Sequence, residues 1–264
     1  MTRHVFAMIC AAVLFGVAAP SAAAEDGAGP VPGASSGDFQ DCPSLPVGQK
    51  PGSWFCLVAK TIGGSIQLGT VTEQISQPIT VTFAIGPTNG YLYGNVRAVP
   101  LPVPGGLLGI PGTENWPGLD VQAIAQGTGL VGKGSKPGNI QLGLKLKLAH
   151  PVLGDSCYIG DDQHPITLDL TYGRTNPPPP NQPISGKPPK PVQGGGLAIT
   201  YVDNAFSVPK ARGCGLLLPW LAGCGELDPI LNGRVQLPAA AGRNTAIFDQ
   251  IVQLKSYKDL PPAS

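Results

Sequence analysis

Gly154-Asp155-Ser156 and Asp161-Asp162-Gln163-His164 are the two places in this sequence where residues suited to hydrolytic chemistry stand close together. A serine becomes a nucleophile when a histidine takes its proton and a carboxylate orients that histidine. Ser156, His164 and Asp161 supply those types. Their spacing argues against the role. They crowd into one loop ahead of a strand, and Ser156 directly precedes Cys157. A polar turn accounts for the same residues, so no catalytic residue is assigned.

The serine block is similar to that of GDS-type lipases and esterases, but in those enzymes the acid and base come near the C-terminal end, far from the serine. Asp155, Asp161 and Asp162 supply oxygens of the kind Ca²⁺ takes, yet they lack the spacing of an EF-hand loop. No G-x-S-x-G, H-E-x-x-H or phosphate-loop pattern occurs. No metal and no cofactor is therefore expected. His150, before Pro151 at a strand end, reads as a surface or strand-capping histidine. Trp54, Trp116 and Trp220 each sit beside, or two residues from, Gly or Pro in loop-like stretches. Such loop tryptophans can stack on sugars or bind a partner, and the expected role here is anchoring loops to the core.

The N-terminus orders Arg3, an apolar run Val5–Ala19 and the small residues Ala22-Ala23-Ala24 before the first acids, Glu25 and Asp26. That order predicts a secretory signal peptide over residues 1–24. The run is short for a membrane span, which needs about 20 apolar residues. No later segment is long and apolar enough to cross as a helix. Beyond residue 24 the charges balance, because the 17 Lys and Arg lose Arg3 and the 16 Asp and Glu lose none. A balanced chain has no basic footprint for nucleic acid.

Export makes disulfides the default for Cys42, Cys56, Cys157, Cys214 and Cys224. No C-x-x-C pair points to zinc. Cys42 and Cys56 bracket a Pro/Gly-rich loop that can bend to bring the sulfurs together. Closing it is worth about 3 kcal/mol in the chain-entropy model. Cys214 can bond Cys157, tying the far side of a proline-rich stretch to a sheet, or Cys224 nearby. The odd count leaves one thiol free or intermolecular.

The elements that carry these residues are mainly strands. Charged residues are only 12% of the chain, against 42% hydrophobic, with 37 Gly and 30 Pro. Segments Ile79–Ile85, Ile140–Leu148 and Ile166–Tyr172 alternate apolar and polar with period two, the pattern of strands with one face buried. Leu142, Leu144 and Leu146 are expected inside, Lys145 and Lys147 outside. Asn89-Gly90 signals a hairpin between Ile79–Ile85 and Tyr91–Val99. A weaker strand spans Phe248–Tyr257. Asp228-Pro229 opens a short helix stopped by Gly233. Residues 25–41 read as a flexible lead-in, and 174–193 as a polyproline surface excursion. The expectation is one antiparallel, sandwich-like β domain over 42–258, with long Gly/Pro-rich loops and one or two short helices. A transmembrane barrel would also alternate, but the long Pro-rich connectors and few aromatics count against it.

The landmarks run in a distinctive order. Cys42-Pro43 and Trp54-Phe55-Cys56 are followed by Gly154-Asp-Ser-Cys-Tyr-Ile-Gly160 and Asn176-Pro-Pro-Pro-Pro-Asn181. Val202-Asp-Asn-Ala-Phe-Ser-Val-Pro209, Gly213-Cys-Gly215, Leu237-Pro238 and Gly242-Arg-Asn-Thr-Ala-Ile-Phe248 complete the series. This resembles a family of uncharacterised secreted actinobacterial proteins over residues 42–257. The resemblance implies export and a shared disulfide plan, and brings no activity with it. Cys157 and Cys214 both lie in its landmarks, and Cys224 has no counterpart. It thus implies Cys42–Cys56 and Cys157–Cys214, with Cys224 as the candidate free thiol. The expected function is non-enzymatic, a secreted structural or binding protein of the extracellular space or cell envelope. The alternatives are an esterase-like hydrolase and a carrier of an apolar ligand, the latter from the leucine-rich strand faces.

Overall fold

The computed structural model describes residues 36–87, 90–215 and 225–260. The expectations for residues 1–35, Asn89, Trp220 and Cys224 lie outside them. The first strands are β1 (Phe55–Leu68), β2 (Val71–Gln74), β3 (Ile79–Ile85), β4 (Tyr91–Ala98) and β5 (Leu101–Pro102). After a long loop come β6 (Gln122–Lys133), β7 (Ile140–Ala149), β8 (Tyr158–Ile159) and β9 (Ile166–Leu170). The last are β10 (Lys187–Pro191), β11 (Leu197–Asp203), β12 (Ala211–Arg212) and, after a helix α1 (Asp228–Val235), β13 (Thr245–Ser256).

They build two antiparallel sheets packed face to face, a mainly β, sandwich-like fold as expected. One sheet runs β10-β11-β13-β1-β3-β4, with β2 also on β1. The other runs β12-β8-β7-β6-β5, with β9 also on β7. Each has a long central strand. β1 pairs with β13 along one edge and with β3 then β2 along the other. β7 pairs with β6 along one edge and with β9 then β8 along the other. The sheets are joined at a corner by the bridge between Thr171 and Val202. There the Asp203 carboxylate accepts a 2.7 Å bond from the Asp169 amide and a 2.8 Å bond from the Ala205 amide. Burial raises the pKa of Asp203 above the ordinary value, because a charge there is poorly hydrated.

The apolar faces meet in one core that draws on Leu57, Phe83 and Phe248 from one sheet and Leu144, Ile166 and Leu168 from the other. Leu142 and Leu144 are buried as expected, and Leu146 packs at the edge of the core. Lys145 and Lys147 are half-covered rather than fully exposed. Lys145 Nζ lies 2.8 Å from Asp162 and over the Tyr158 ring. Long lysine stems lie flat on such a surface while the ammonium reaches a partner. Leu144→Ala is expected to cost about 2–5 kcal/mol, the range for truncating a leucine buried in the core. Gln141→Ala on the opposite face should change stability by less than about 0.5 kcal/mol. Equal losses in denaturant melts would show the register to be wrong.

Three expectations change. Residues 36–41 form a 3₁₀ turn rather than a flexible lead-in, and Asp41 pairs with Arg97 of β4 at 2.6 Å. The 174–193 excursion is partly sheet, because β10 pairs with β11 despite three prolines. It can do so as an edge strand with an irregular register, where missing N–H donors face solvent. Asp228 is the first residue of α1 rather than its cap, and the helix passes Gly233 to end at Val235. The Asp228 carboxylate turns back to accept bonds from the amides of Gly213 and Cys214.

Candidate functional site

The residues singled out for hydrolysis are not assembled. Ser156 Oγ donates to the Gly213 carbonyl at 3.0 Å. Asp161 Oδ1 instead closes its own turn, accepting from the amides of Gln163 and His164 at 2.8 and 2.7 Å. Those N–H groups, the His164 amide foremost, hold the Asp161 carboxyl below the usual range. His164 Nδ1 lies 3.2 Å from Asp161, and both are exposed. Asp162 is committed to Lys145. Among the described residues no three His, Cys, Asp or Glu side chains gather as a metal site. Neither a nucleophile–base pair nor a calcium cage is formed by these residues.

His150 is buried at the end of β7. Its Nδ1 accepts from the Val152 amide at 3.1 Å, so Nε2 carries the proton and donates to the Gly118 carbonyl at 3.0 Å. The histidine thus caps the strand and clamps the long loop before β6. Trp54 anchors a loop as expected. Its indole fills the space over Gly86, where a Cβ would overlap the ring, and its Nε1 donates to Gln49 at 3.0 Å.

Trp116 reverses the anchoring expectation, being 59% exposed. It belongs to the loop 103–121, which is pinned from within. The Glu114 carboxylate accepts from the amides of Gly105 and Gly112 at 3.0 and 2.8 Å. Thr113 Oγ1 lies 2.9 Å from the carbonyls of Gly105 and Ile110. The Glu114 backbone amide together with those of Gly105 and Gly112 holds its carboxyl below the ordinary value. The loop's base is closed by amide–carbonyl bonds from Val103 to Val121 and from Leu107 to Leu119. Arg234 of α1 donates to the Leu107 carbonyl. The loop so pinned presents Leu108, Ile110 and Trp116 to solvent.

A second feature is a depression of about 340 Å³ where four chain segments meet. Gln67 and Gly69 come from the end of β1 and the turn after it, Pro180 and Asn181 from the proline run, Gln236 from beyond α1, and Arg243 from the approach to β13. Asn244 holds these segments together and is fully buried. Its Oδ1 accepts from the Gly69 amide at 2.9 Å, and its Nδ2 donates to the carbonyls of Phe206 and Ala240 at 2.9 and 3.1 Å. Asn181 Nδ2 donates to the carbonyls of Asn204 and Asn244 at 2.9 and 2.8 Å. The sequence assigns neither asparagine a role, since Asn beside Gly or Pro, or separated from it by one residue, reads only as a turn.

The space between the sheets, beside Phe83, Leu142, Tyr201 and Gln250, is about 30 Å³. That is room for about one water. The leucine-rich faces are filled by each other, which leaves no preformed chamber there for an apolar ligand. The chain matches no protein-family model, no curated protein and no solved structure.

Proposed function

We propose that this chain is a secreted, non-enzymatic binding or structural protein of the extracellular space or cell envelope, and that it contacts its surroundings through loop 103–121. The observation that carries the reading is Trp116, exposed together with Ile110 on a loop whose backbone is already fixed. Exposed aromatic and aliphatic side chains gain by desolvation against a partner. A loop pinned in advance loses little conformational entropy on contact.

Cys42–Cys56 and Cys157–Cys214 are disulfide-bonded, which suits an oxidising compartment. Among the described residues no helix is long and apolar enough to cross a membrane. The resemblance of the landmarks to those of secreted actinobacterial proteins supports the same reading.

Fractionation of cells producing the full chain tests the reading. The wild type is expected to partition with the envelope and the double variant Ile110→Ser, Trp116→Ser to move to the medium. The melting temperature should stay nearly the same, since exposed side chains carry little stability. Identical partitioning of the two proteins would remove the loop from the contact. Ester turnover that disappears in Ser156→Ala would replace the reading with a hydrolase.

A further inference from the structure

We propose that the depression bounded by Gln67, Asn181, Gln236 and Arg243 binds a small hydroxylated anion of the sugar-carboxylate class. Arg243 is the one charged residue of its lining, and the lining holds no acid. Among the described residues the guanidinium has no ion-pair partner. A guanidinium at a concavity offers parallel N–H donors that match the two oxygens of a carboxylate.

Around it stand acceptors and donors suited to hydroxyls. Asn181 spends both amide hydrogens on the carbonyls of Asn204 and Asn244, so its Oδ1 is a fixed acceptor on a side chain that lines the depression. Gln67 Nε2 donates to the Gly69 carbonyl at 3.2 Å, which leaves Oε1 open. Gln236 brings a third amide, and its backbone is left-handed with φ 56° and ψ 51°. Glycine is the relaxed residue at such a helix end. A glutamine held there keeps an amide at the rim at the expense of local strain, a pattern typical of binding positions. No serine, cysteine, histidine or carboxylate lines the depression, so the chemistry on offer is binding. The site is independent of loop 103–121 and stands or falls separately from the envelope contact.

Titration calorimetry of the full secreted protein with D-glucuronate, D-glucose and acetate provides the test. Glucuronate carries both the carboxylate and the hydroxyls, while each of the others carries one. It is expected to bind about tenfold or more tighter than either. D-glucose 6-phosphate separates the two kinds of anion and is expected to bind more weakly than glucuronate. Arg243→Ala should erase the preference for glucuronate over glucose, with an unchanged melting temperature because Arg243 is exposed. Gln236→Gly should weaken glucuronate severalfold while holding or raising the melting temperature, a combination that mere loss of structure cannot give. Glucuronate no tighter than glucose or acetate overturns the proposal. So does tighter binding of the phosphate, or glucuronate binding that survives Arg243→Ala.

Discussion

Replacing Cys157 and Cys214 together by alanine is expected to lower the unfolding free energy by about 4 kcal/mol, against about 3 kcal/mol for the same change at Cys42 and Cys56. The difference comes from the unfolded chain. The first pair spans a sequence separation of 57 and the second 14, and the longer tether removes more disorder, though only logarithmically. The longer bridge also closes a junction. Cys157 precedes β8, Cys214 follows β12, and β8 pairs with β12. The Cys214 amide is held at 2.8 Å by Asp228, and the Gly215 amide donates to the Leu153 carbonyl at 3.1 Å. Both cysteines are fully buried, so alanine adds a small void to the entropic loss. Equilibrium denaturant melts of the two double variants read the ranking directly. A smaller loss at Cys157 and Cys214 than at Cys42 and Cys56 would mean that the Asp228 contacts, and not loop closure, hold the junction.

Asn244→Ala is expected to cost about 4 kcal/mol, which would place a single polar side chain among the costliest changes in the protein. The amide accepts from Gly69 and donates to Phe206 and Ala240, with the Ala239 carbonyl a further 3.4 Å contact. Alanine leaves those backbone groups buried without partners, at about 1–3 kcal/mol each, partly offset where water can enter. Asn244→Asp should be no milder. It keeps the shape, but it sets a carboxylate against carbonyls that had been receiving donors. Asn181→Ala, half-exposed beside the depression, should cost less, because water can reach the carbonyls it releases. A loss below about 1 kcal/mol for Asn244→Ala would show that ordered water replaces the amide.

The strands legible in the sequence are those whose residue types alternate, whether the outer face stays half-exposed as in β9 or is covered as in β3. β9 alternates strictly in burial, whereas β7 alternates in residue type and buries Leu142, Gly143 and Leu144 together. β1 gave no such signal, although it is the longest strand and lies at the centre of its sheet. Cys56, Leu57, Val58 and Ala59 are all buried, so both faces are covered and no alternation remains. Its Gly63-Gly64 pair reads as a turn. In the fold, the register shifts between Thr61 and Gly63 opposite β13, and Gly64 adopts φ 108° against the Ile247 carbonyl, where no Cβ fits. β6 and β11 were missed for related reasons. β6 is rich in small residues and half-buried on both faces, and β11 is buried on both over Ile199–Asp203.

The same division runs through the candidate sites. The β class and the local Cys42–Cys56 bridge follow from composition and short-range spacing, because they depend on residue type and on neighbours a few positions away. The second bridge needed the landmark pattern, since spacing left Cys224 open as a partner. Trp116 and Trp54 have similar Gly/Pro surroundings in the chain, yet one is solvent-facing and the other is sealed over Gly86. Which of the two is free depends on what distant segments place against it. Asn181, Gln236 and Arg243 are unremarkable turn and loop residues until the proline run, the end of α1 and the start of β13 close on Gly69. Their chemistry is a product of long-range packing around Asn244, and a one-dimensional pattern does not encode which loops will meet.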